Sequence, residues 1–483
     1  MQLILQHLSN RKQIALWVFV CAIAVSISVG IVASAYWVLI IPIVILILLA
    51  SLFYTEETLL LSGAFAPLSM NFDNLGGGFG LSLPTEPMYI WLFGLLCFQI
   101  FKEGKLELNA LKNPVVAFVT AYLLWLWIST TFSTMPAVSA KFSMARTWYI
   151  VLFFYMGIRI FKNTQRIHFY FKWFTIFTMI MVGYTLFMHS QDGFSRGSSY
   201  GVSWPFFPDH GMYAAAIAYV VFLLLVYTFF VRQFDNPIGL APVLFLFFII
   251  ILFAVIVSFT RATWLSLIVA FALWVLMQFK VKFYWIFLSL FLVLSVGIIK
   301  QDEISYSMEA NKQGSSDELE GHVKSVSNIT TDPSNLERIN RWKCAARMVA
   351  ERPLFGFGPG TFVFKYAPFQ KSSELTLIST HAGDLGDAHS EYFSAMSEMG
   401  FIGMFLWLGI VFSTIYVGFR IIYHTKSLKL RLITYMALMG LVAYHTHAVL
   451  NNYSQYDKLA VPLWAFTAII VAIDLKTRTQ NNG

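Results

Sequence analysis

The chain has 483 residues, 58% of them hydrophobic and only 12% charged, with a mean hydropathy of +0.68 and a net charge of +8. A soluble domain carries about a quarter of its residues as charges, so this composition excludes an ordinary globular protein. The basic excess is too dispersed among apolar runs to read as a nucleic-acid surface, and no nucleic-acid partner is expected.

Apolar runs of membrane-spanning length recur along the chain. They cover 14–34, 36–54, 113–132, 145–161, 167–188, 211–231, 238–259, 262–279, 283–299, 396–419, 431–450 and 459–475. Two shorter runs, 57–69 and 87–101, read as tilted or re-entrant segments. The expected fold class is an all-α polytopic membrane protein of about 12–14 transmembrane helices with one large external loop. The first run follows Arg11 and Lys12, lacks a small-x-small cleavage signature and leads into a second span, so it is not expected to be a cleavable signal. Cys21, Cys97 and Cys344 suggest no disulfide framework.

Basic residues in short loops set the orientation, because cytoplasmic loops are enriched in Lys and Arg. One set of connections holds Lys102, Lys105, Lys112, Arg159, Lys162, Arg166, Arg232, Lys280, Lys282, Arg420, Lys426, Lys429 and Arg431. Arg11, Lys12, Lys476 and Arg478 join it, which makes both ends of the chain cytoplasmic. The opposite side has only Lys141, Arg146, Arg196, Arg261 and Lys458. Arg261 interrupts FAVIVSFTRATWLSLIVAFAL, but the orientation moves it to a tight external turn between two spans. A boundary arginine is either a snorkelling anchor or a binding group.

Three regions follow: spans in 1–299, a large external loop at 300–390, and three further spans with a cytoplasmic tail in 391–483. In the loop, Ser334-Asn-Leu-Glu337 has capping-box spacing. The helix after it should place Arg338, Trp342, Ala345 and Val349 on one face and end at Pro353. GFGPG at 356–360 lacks a preceding strand and a following Lys-Ser/Thr, so it reads as a glycine-shaped turn and not as a phosphate loop. His381, Asp384, Asp387 and His389 match no standard metal spacing. No metal and no cofactor is expected. Arg261, Arg338 and Arg341 would form a cationic group at the membrane surface, suited to bidentate phosphate binding. His389 lies beside them as a candidate general base. His210, in the external FPDHGMY stretch, is a candidate for acceptor binding, while His445 and His447 near an outer span end are candidates for lining a cavity.

These elements resemble a known family. Arg338–Trp342, PLFGFG at 353–358, HSEYFSAMSEMGFIG at 389–403 and SFTRA at 258–262 stand in the order seen in the O-antigen ligase and polymerase superfamily of bacterial inner-membrane glycosyltransferases. The resemblance covers roughly 245–420, and it departs at Ser390, where the family often has asparagine. It implies a C-type glycosyltransferase fold that moves a glycan from undecaprenyl diphosphate to an acceptor hydroxyl on the periplasmic face, without a metal. Under that reading Arg261 and Arg338 hold the diphosphate, Arg341 adds a cation and His389 removes the acceptor proton. The partners would be the lipid-linked glycan donor, a lipid A core or another glycan as acceptor, and membrane lipids. The alternatives are a polysaccharide polymerase of the same superfamily, or a polysaccharide or lipid transporter. A transporter calls for broken helices and charge at mid-membrane depth, and the spans are nearly free of charged groups.

The orientation is open to direct measurement. In spheroplasts, a Ser315→Cys thiol is expected to react with an impermeant maleimide and a Ser427→Cys thiol to be protected. The opposite pattern would invert the topology.

Overall fold

The computed structural model describes residues 40–72, 81–103, 111–286, 333–376 and 386–482, with isolated positions at 21, 23, 25, 26, 288, 289, 292, 295 and 379. Most of the expected spans 14–34 and 283–299, and the first part of the external loop, lie outside these residues. The protein is an all-α polytopic membrane protein. In chain order the helices are α1 (Ile40–Phe53), α2 (Thr55–Phe65), α3 (Thr85–Glu103), α4 (Pro114–Thr131), α5 (Pro136–Phe161), α6 (Thr164–Gln191), α7 (His210–Phe229) and α8 (Ala241–Val257). After them come α9 (Arg261–Gln278), α10 (Pro333–Glu351), α11 (Glu391–His424), α12 (Leu428–His447) and α13 (Asp457–Asn482). A short hairpin, β1 (Met70–Phe72) with β2 (Leu81–Leu83), pairs Asn71 with Ser82.

Eight helices among the described residues are long and apolar enough to cross a membrane. The expected span at 145–161 begins earlier, because α5 runs from Pro136 through a π-helical turn at Ile150–Tyr155. Burial separates inner from outer helices. The apolar window of α13 is 94% buried and that of α8 only 22%, so α13 is the hub and α8 presents Phe245, Leu246 and Ile249 outward. The outer helix α8 is the more apolar of the two, so apolarity alone does not mark the hub. Around the hub, α7 packs on α8 and α12, α9 on α12, and α4 on α11.

The ends of the bundle differ chemically. At one end Asp474 gathers Arg420, Arg478 and Asn113, and Lys429 pairs with Asp235. At the other end the 132–135 and 448–456 turns meet the segment 333–390, through Thr134 to Phe357 and Arg338 to Leu450, and the 258–260 turn meets the start of α7 through His210 to Ser258. Two basic residues expected in loops at this second end are inside the bundle. Arg146 is 5% exposed within α5. Lys458 is fully buried, donating to Ser69, Asn71 and Asp457, and so clamps the hairpin onto α13. A charge count along the sequence cannot see burial of this kind, since helix ends shift by several residues with packing.

The most consequential feature is a break in α11. Gly400 has φ +70°, which splits the helix into 391–399 and 401–424. The break strands carbonyls that an unbroken helix would satisfy, and the PLFGFG loop supplies partners. Phe357 N and Gly358 N donate to Ser397 O at 3.0 Å and Glu398 O at 2.9 Å, and Trp125 Nε1 donates to Met399 O at 2.9 Å. Phe401 N donates in return to Pro353 O at 2.9 Å. A Cβ on Gly356 would strike the backbone of Glu398, and one on Gly400 would strike the carbonyl of Leu354. The expected glycine turn is present, with Gly356, Gly358 and Gly360 all at positive φ, and it docks at the break made by a further glycine, Gly400.

Gly400→Ala therefore combines left-handed strain of about 1–2 kcal/mol with a backbone clash. It is expected to lower the melting temperature of the detergent-purified protein by many degrees. Gly183→Ala, inside α6 with nothing within 4 Å, should be neutral or gain up to about 1 kcal/mol from helix propensity. Equal behaviour of the two variants would show that the break is not a structural joint.

Candidate active site at the external end of the bundle

The site begins with α10, which is amphipathic. Glu337, Arg341, Cys344, Ala345, Met348 and Val349 are its buried residues, at the spacing of one helical face, and they pack against Phe362, Tyr366 and Met396. The expected face was rotated by about one residue. Arg338 and Trp342 sit at its rim, half-buried, where a side chain can meet both protein and open space. Glu337 belongs to the buried face of α10, and the side chain of Ser334, its expected capping-box partner, lies outside the described residues. The Glu337 carboxylate accepts from Arg341 Nε at 2.7 Å, from Thr376 at 2.9 Å and from Ser379. A buried carboxylate so close to a guanidinium is drawn inward by charge. Burial alone would raise its pKa, but the Ser379 hydroxyl and Arg341 together hold it below the ordinary value.

Arg341 occupies a different place from the expected open cation. It is 3% exposed, bonded to Glu337, with its guanidinium carbon 3.9 Å from the Tyr366 ring centre. A Cβ on Gly386 would overlap it, so the chain closes over it just before His389. This is the position of a post that holds the external segment together.

His389 stands at φ +46° immediately before α11. Asp387 Oδ1 accepts from the His389 backbone N at 2.9 Å and lies 3.0 Å from its Nδ1. An ionised carboxylate can only accept, so this contact puts the proton on Nδ1. Nε2 then carries the lone pair, and it has no hydrogen-bond partner among the described residues. The side chain is 37% exposed. Burial holds the His389 pKa below the ordinary histidine value; the Asp387 carboxylate opposes this, while Arg338 and Arg341 reinforce it. His389 is therefore neutral near pH 7, the state a proton acceptor needs. Its backbone is tied to α10 through Trp342 Nε1, 3.4 Å from His389 O, and Trp342 stacks on Phe393 at 5.1 Å. Ser390 takes the extended backbone of a cap residue, but its hydroxyl makes no cap bond.

Arg338 donates from Nε to Leu450 O at 3.1 Å, which fixes its stem over the 448–456 turn. From there it is within electrostatic reach of His389, His210, His447 and Tyr453. His210 opens α7 and contacts Ser258 O at 2.7 Å through Nδ1, with Thr260 Oγ1 at 3.2 Å. A carbonyl only accepts, so Nδ1 of His210 also carries the proton. Arg261 follows Thr260 directly as the first residue of α9, and so stands at the same helix junction as His210. The tertiary structure thus brings Arg338, His389 and His210 into one electrostatic neighbourhood and sets Arg261 at its edge.

Other members of this layer carried weaker sequence signals. Asp387 appears in the sequence only as one of several scattered acids; its spacing two residues before His389 is the trace it leaves. Tyr453, whose hydroxyl is 3.2 Å from Asp209 Oδ1 and 3.4 Å from Asn451 Oδ1, comes from a turn with no motif. His447 lies 5.8 Å, ring to ring, from Tyr453. His445 is buried on the far side of Tyr392, which donates to its carbonyl at 3.0 Å. His381 and Asp384 lie outside the described residues.

Breaking the Glu337–Arg341 pair from one side leaves a buried charge, at a cost of about 3–5 kcal/mol. Arg341→Met is expected to render the 352–388 segment sensitive to limited proteolysis at pH 7, with a smaller effect in the Glu337→Gln, Arg341→Met double variant. The Glu337 pKa is depressed on folding, so its contribution is present above the ordinary glutamate pKa and is lost as pH falls through the lowered one. Wild-type protection should fade in that acid window. A cleavage pattern unchanged by Arg341→Met would remove the pair from this role.

No curated protein matches the chain. The family model described as O-antigen ligase matches residues 245–408. That stretch includes Arg261, Arg338, Arg341, His389 and both halves of the glycine joint, and leaves out His210. The match supports the resemblance of this multi-pass membrane protein to the O-antigen ligase and polymerase superfamily over that stretch.

Proposed function

We propose that the protein is a membrane glycosyltransferase that moves a glycan from undecaprenyl diphosphate to an acceptor hydroxyl at the external, periplasmic face of the inner membrane. A lipid A core acceptor, as in O-antigen ligation, is the leading reading. The single observation that carries the proposal is the His389–Asp387 pair beside Arg338: a neutral imidazole, oriented through Nδ1, with Nε2 available and a guanidinium in electrostatic reach.

The chemistry follows from these groups. The acceptor hydroxyl lies against His389 Nε2, which takes its proton as the oxygen attacks the anomeric carbon. The new C–O bond forms while the bond from that carbon to the phosphate oxygen breaks. The electron pair leaves on the diphosphate, whose growing charge Arg338 and Arg261 offset by bidentate hydrogen bonds. Asp387 stabilises the imidazolium that results and keeps the ring in one tautomer. His210, with its own Nδ1 held by Ser258, is placed to accept a hydrogen bond from a sugar hydroxyl. A diphosphate is already a competent leaving group, so positioning, one base and two cations suffice, and the reaction proceeds without a metal. Arg341 contributes charge from behind the site and holds the segment that bears His389.

The test is transfer in proteoliposomes with a lipid-linked glycan donor, an acceptor and a chelator present. His389→Ala is expected to lower turnover by about 10²–10⁴-fold with donor KM little changed. Arg338→Lys should impair both, because it keeps charge but loses the planar fork. Wild-type turnover should fall only below the ordinary histidine range of about 6.5, since the His389 pKa is lowered. Asp387→Asn removes a charge that favours the imidazolium, so it should move that acid limb further down while reducing turnover. Normal turnover in His389→Ala, or loss of all transfer on chelation, would overturn the proposal.

A further inference from the structure

A buried guanidinium lies deeper in the bundle than the site just described. Arg146 is 5% exposed, about 15 Å along α5 from its external end. Its guanidinium carbon is 5.0 Å from the Phe142 ring centre and 5.5 Å from that of Trp407. Among the described residues it makes no hydrogen bond and no ion pair. The hydroxyl of Tyr122, a residue 1% exposed whose ring is 5.5 Å from Trp407, is likewise without a hydrogen-bond partner among them. Around these two, Trp407 Nε1, Trp464 Nε1 and both ring nitrogens of His445 are buried without partners. Trp407 links them, 6.2 Å from Trp464 and 6.4 Å from His445. Five helices, α4, α5, α11, α12 and α13, each bring one member.

Buried polar groups in folded proteins almost always find partners, and a buried unpaired cation is among the costliest exceptions. The two aromatic faces return part of that cost. Glu391 and Glu398 are within electrostatic reach of Arg146, but their oxygens are turned elsewhere. Glu391 accepts from Ser454 N at 2.6 Å, Ser454 Oγ at 2.7 Å and Tyr444 at 3.2 Å, and Glu398 accepts from Phe362 N at 3.1 Å. The fork of Arg146 therefore has donors and no acceptor.

We propose that Arg146 and Tyr122 form a second binding position, for the phosphoryl oxygens of a lipid phosphate. A guanidinium fork matches two oxygens of a tetrahedral oxyanion, and the Tyr122 hydroxyl supplies a neutral donor beside it. The position lies within membrane-spanning helices, where an anion arrives most readily on an amphiphile. The two glutamates weaken the net attraction, which keeps the lipid exchangeable. The site does not depend on the transfer reaction proposed above and stands or falls separately from it.

The experiment is titration of the purified full-length protein in detergent with farnesyl phosphate, farnesol and inorganic phosphate, read by microscale thermophoresis and by melting temperature. Farnesyl phosphate should bind the wild type and an Arg261→Gln, Arg338→Gln double variant, and bind at least tenfold more weakly to Arg146→Gln and to Tyr122→Phe, Arg146→Lys. Ligand-free Arg146→Met should melt no lower than wild type, because it removes an unpaired buried charge. Binding of inorganic phosphate as tight as farnesyl phosphate, lost in Arg146→Gln, would support the oxyanion position with a free anion as its occupant. Equal binding of farnesol and farnesyl phosphate would overturn the proposal. So would unchanged farnesyl phosphate binding in the Arg146 variants, including when Arg146→Met melts lower.

Discussion

Two backbone amides, those of Phe357 and Gly358, donating to the carbonyls of Ser397 and Glu398, join the 333–390 segment to the helix bundle. The break at Gly400 exposes those carbonyls inside a membrane protein, where an unsatisfied backbone group is costly and no bulk water is at hand. The PLFGFG loop meets this need on one face, together with Trp125 and Ser129 of α4. Once it docks, the rest follows. Segment 391–399 of α11 is set apart from the span 401–424, α10 is drawn onto that segment, and His389 is fixed at its start. The glycines of this loop thus serve as backbone couplers, and their likeness to a nucleotide loop is superficial.

The joint also explains why charge concentrates where it does. Segment 391–399 carries Glu391 near one end and Glu398 near the other, and each is satisfied by a different neighbour: the 448–456 turn for Glu391, the 356–362 loop for Glu398. The same turn offers Leu450 O to Arg338. On the other flank Glu337 and Arg341 neutralise one another beneath Tyr366 and Gly386. The candidate site is therefore framed by buried ionic groups that are paired or hydrogen-bonded, while His389 keeps a ring nitrogen without a partner among the described residues and partial exposure. Rigid, satisfied surroundings around one available base are what preorganised proton transfer requires.

Arg146 and Lys458 show how far the local chain can mislead. Each looks like a loop cation of the sparsely charged side, and each is buried. Lys458 closes a compact network with Asp457, Ser69 and Asn71 that joins the hairpin to the hub helix. Arg146 has aromatic faces and distant carboxylates but no hydrogen-bond acceptor among the described residues, so two basic residues with the same sequence setting are satisfied in different ways.

By itself the sequence determines the membrane class, the alternation of spans, the basic end of the bundle and the order of the motifs. These depend on hydropathy and on the cost of moving charge across a bilayer, both of which are sums over local residues. It also marks Arg261, Arg338 and His389, because a cation or imidazole at an external boundary stands out against an apolar background. What tertiary structure decides is partnership. That Arg341 is committed to Glu337, that Asp387 lies against His389, that α10 is rotated by a residue, and that the Gly356 loop interlocks with the break at Gly400 all depend on contacts between segments or on backbone torsions at single residues. Such contacts carry no periodic signal, and a buried ion pair reads, residue by residue, like two solvated charges.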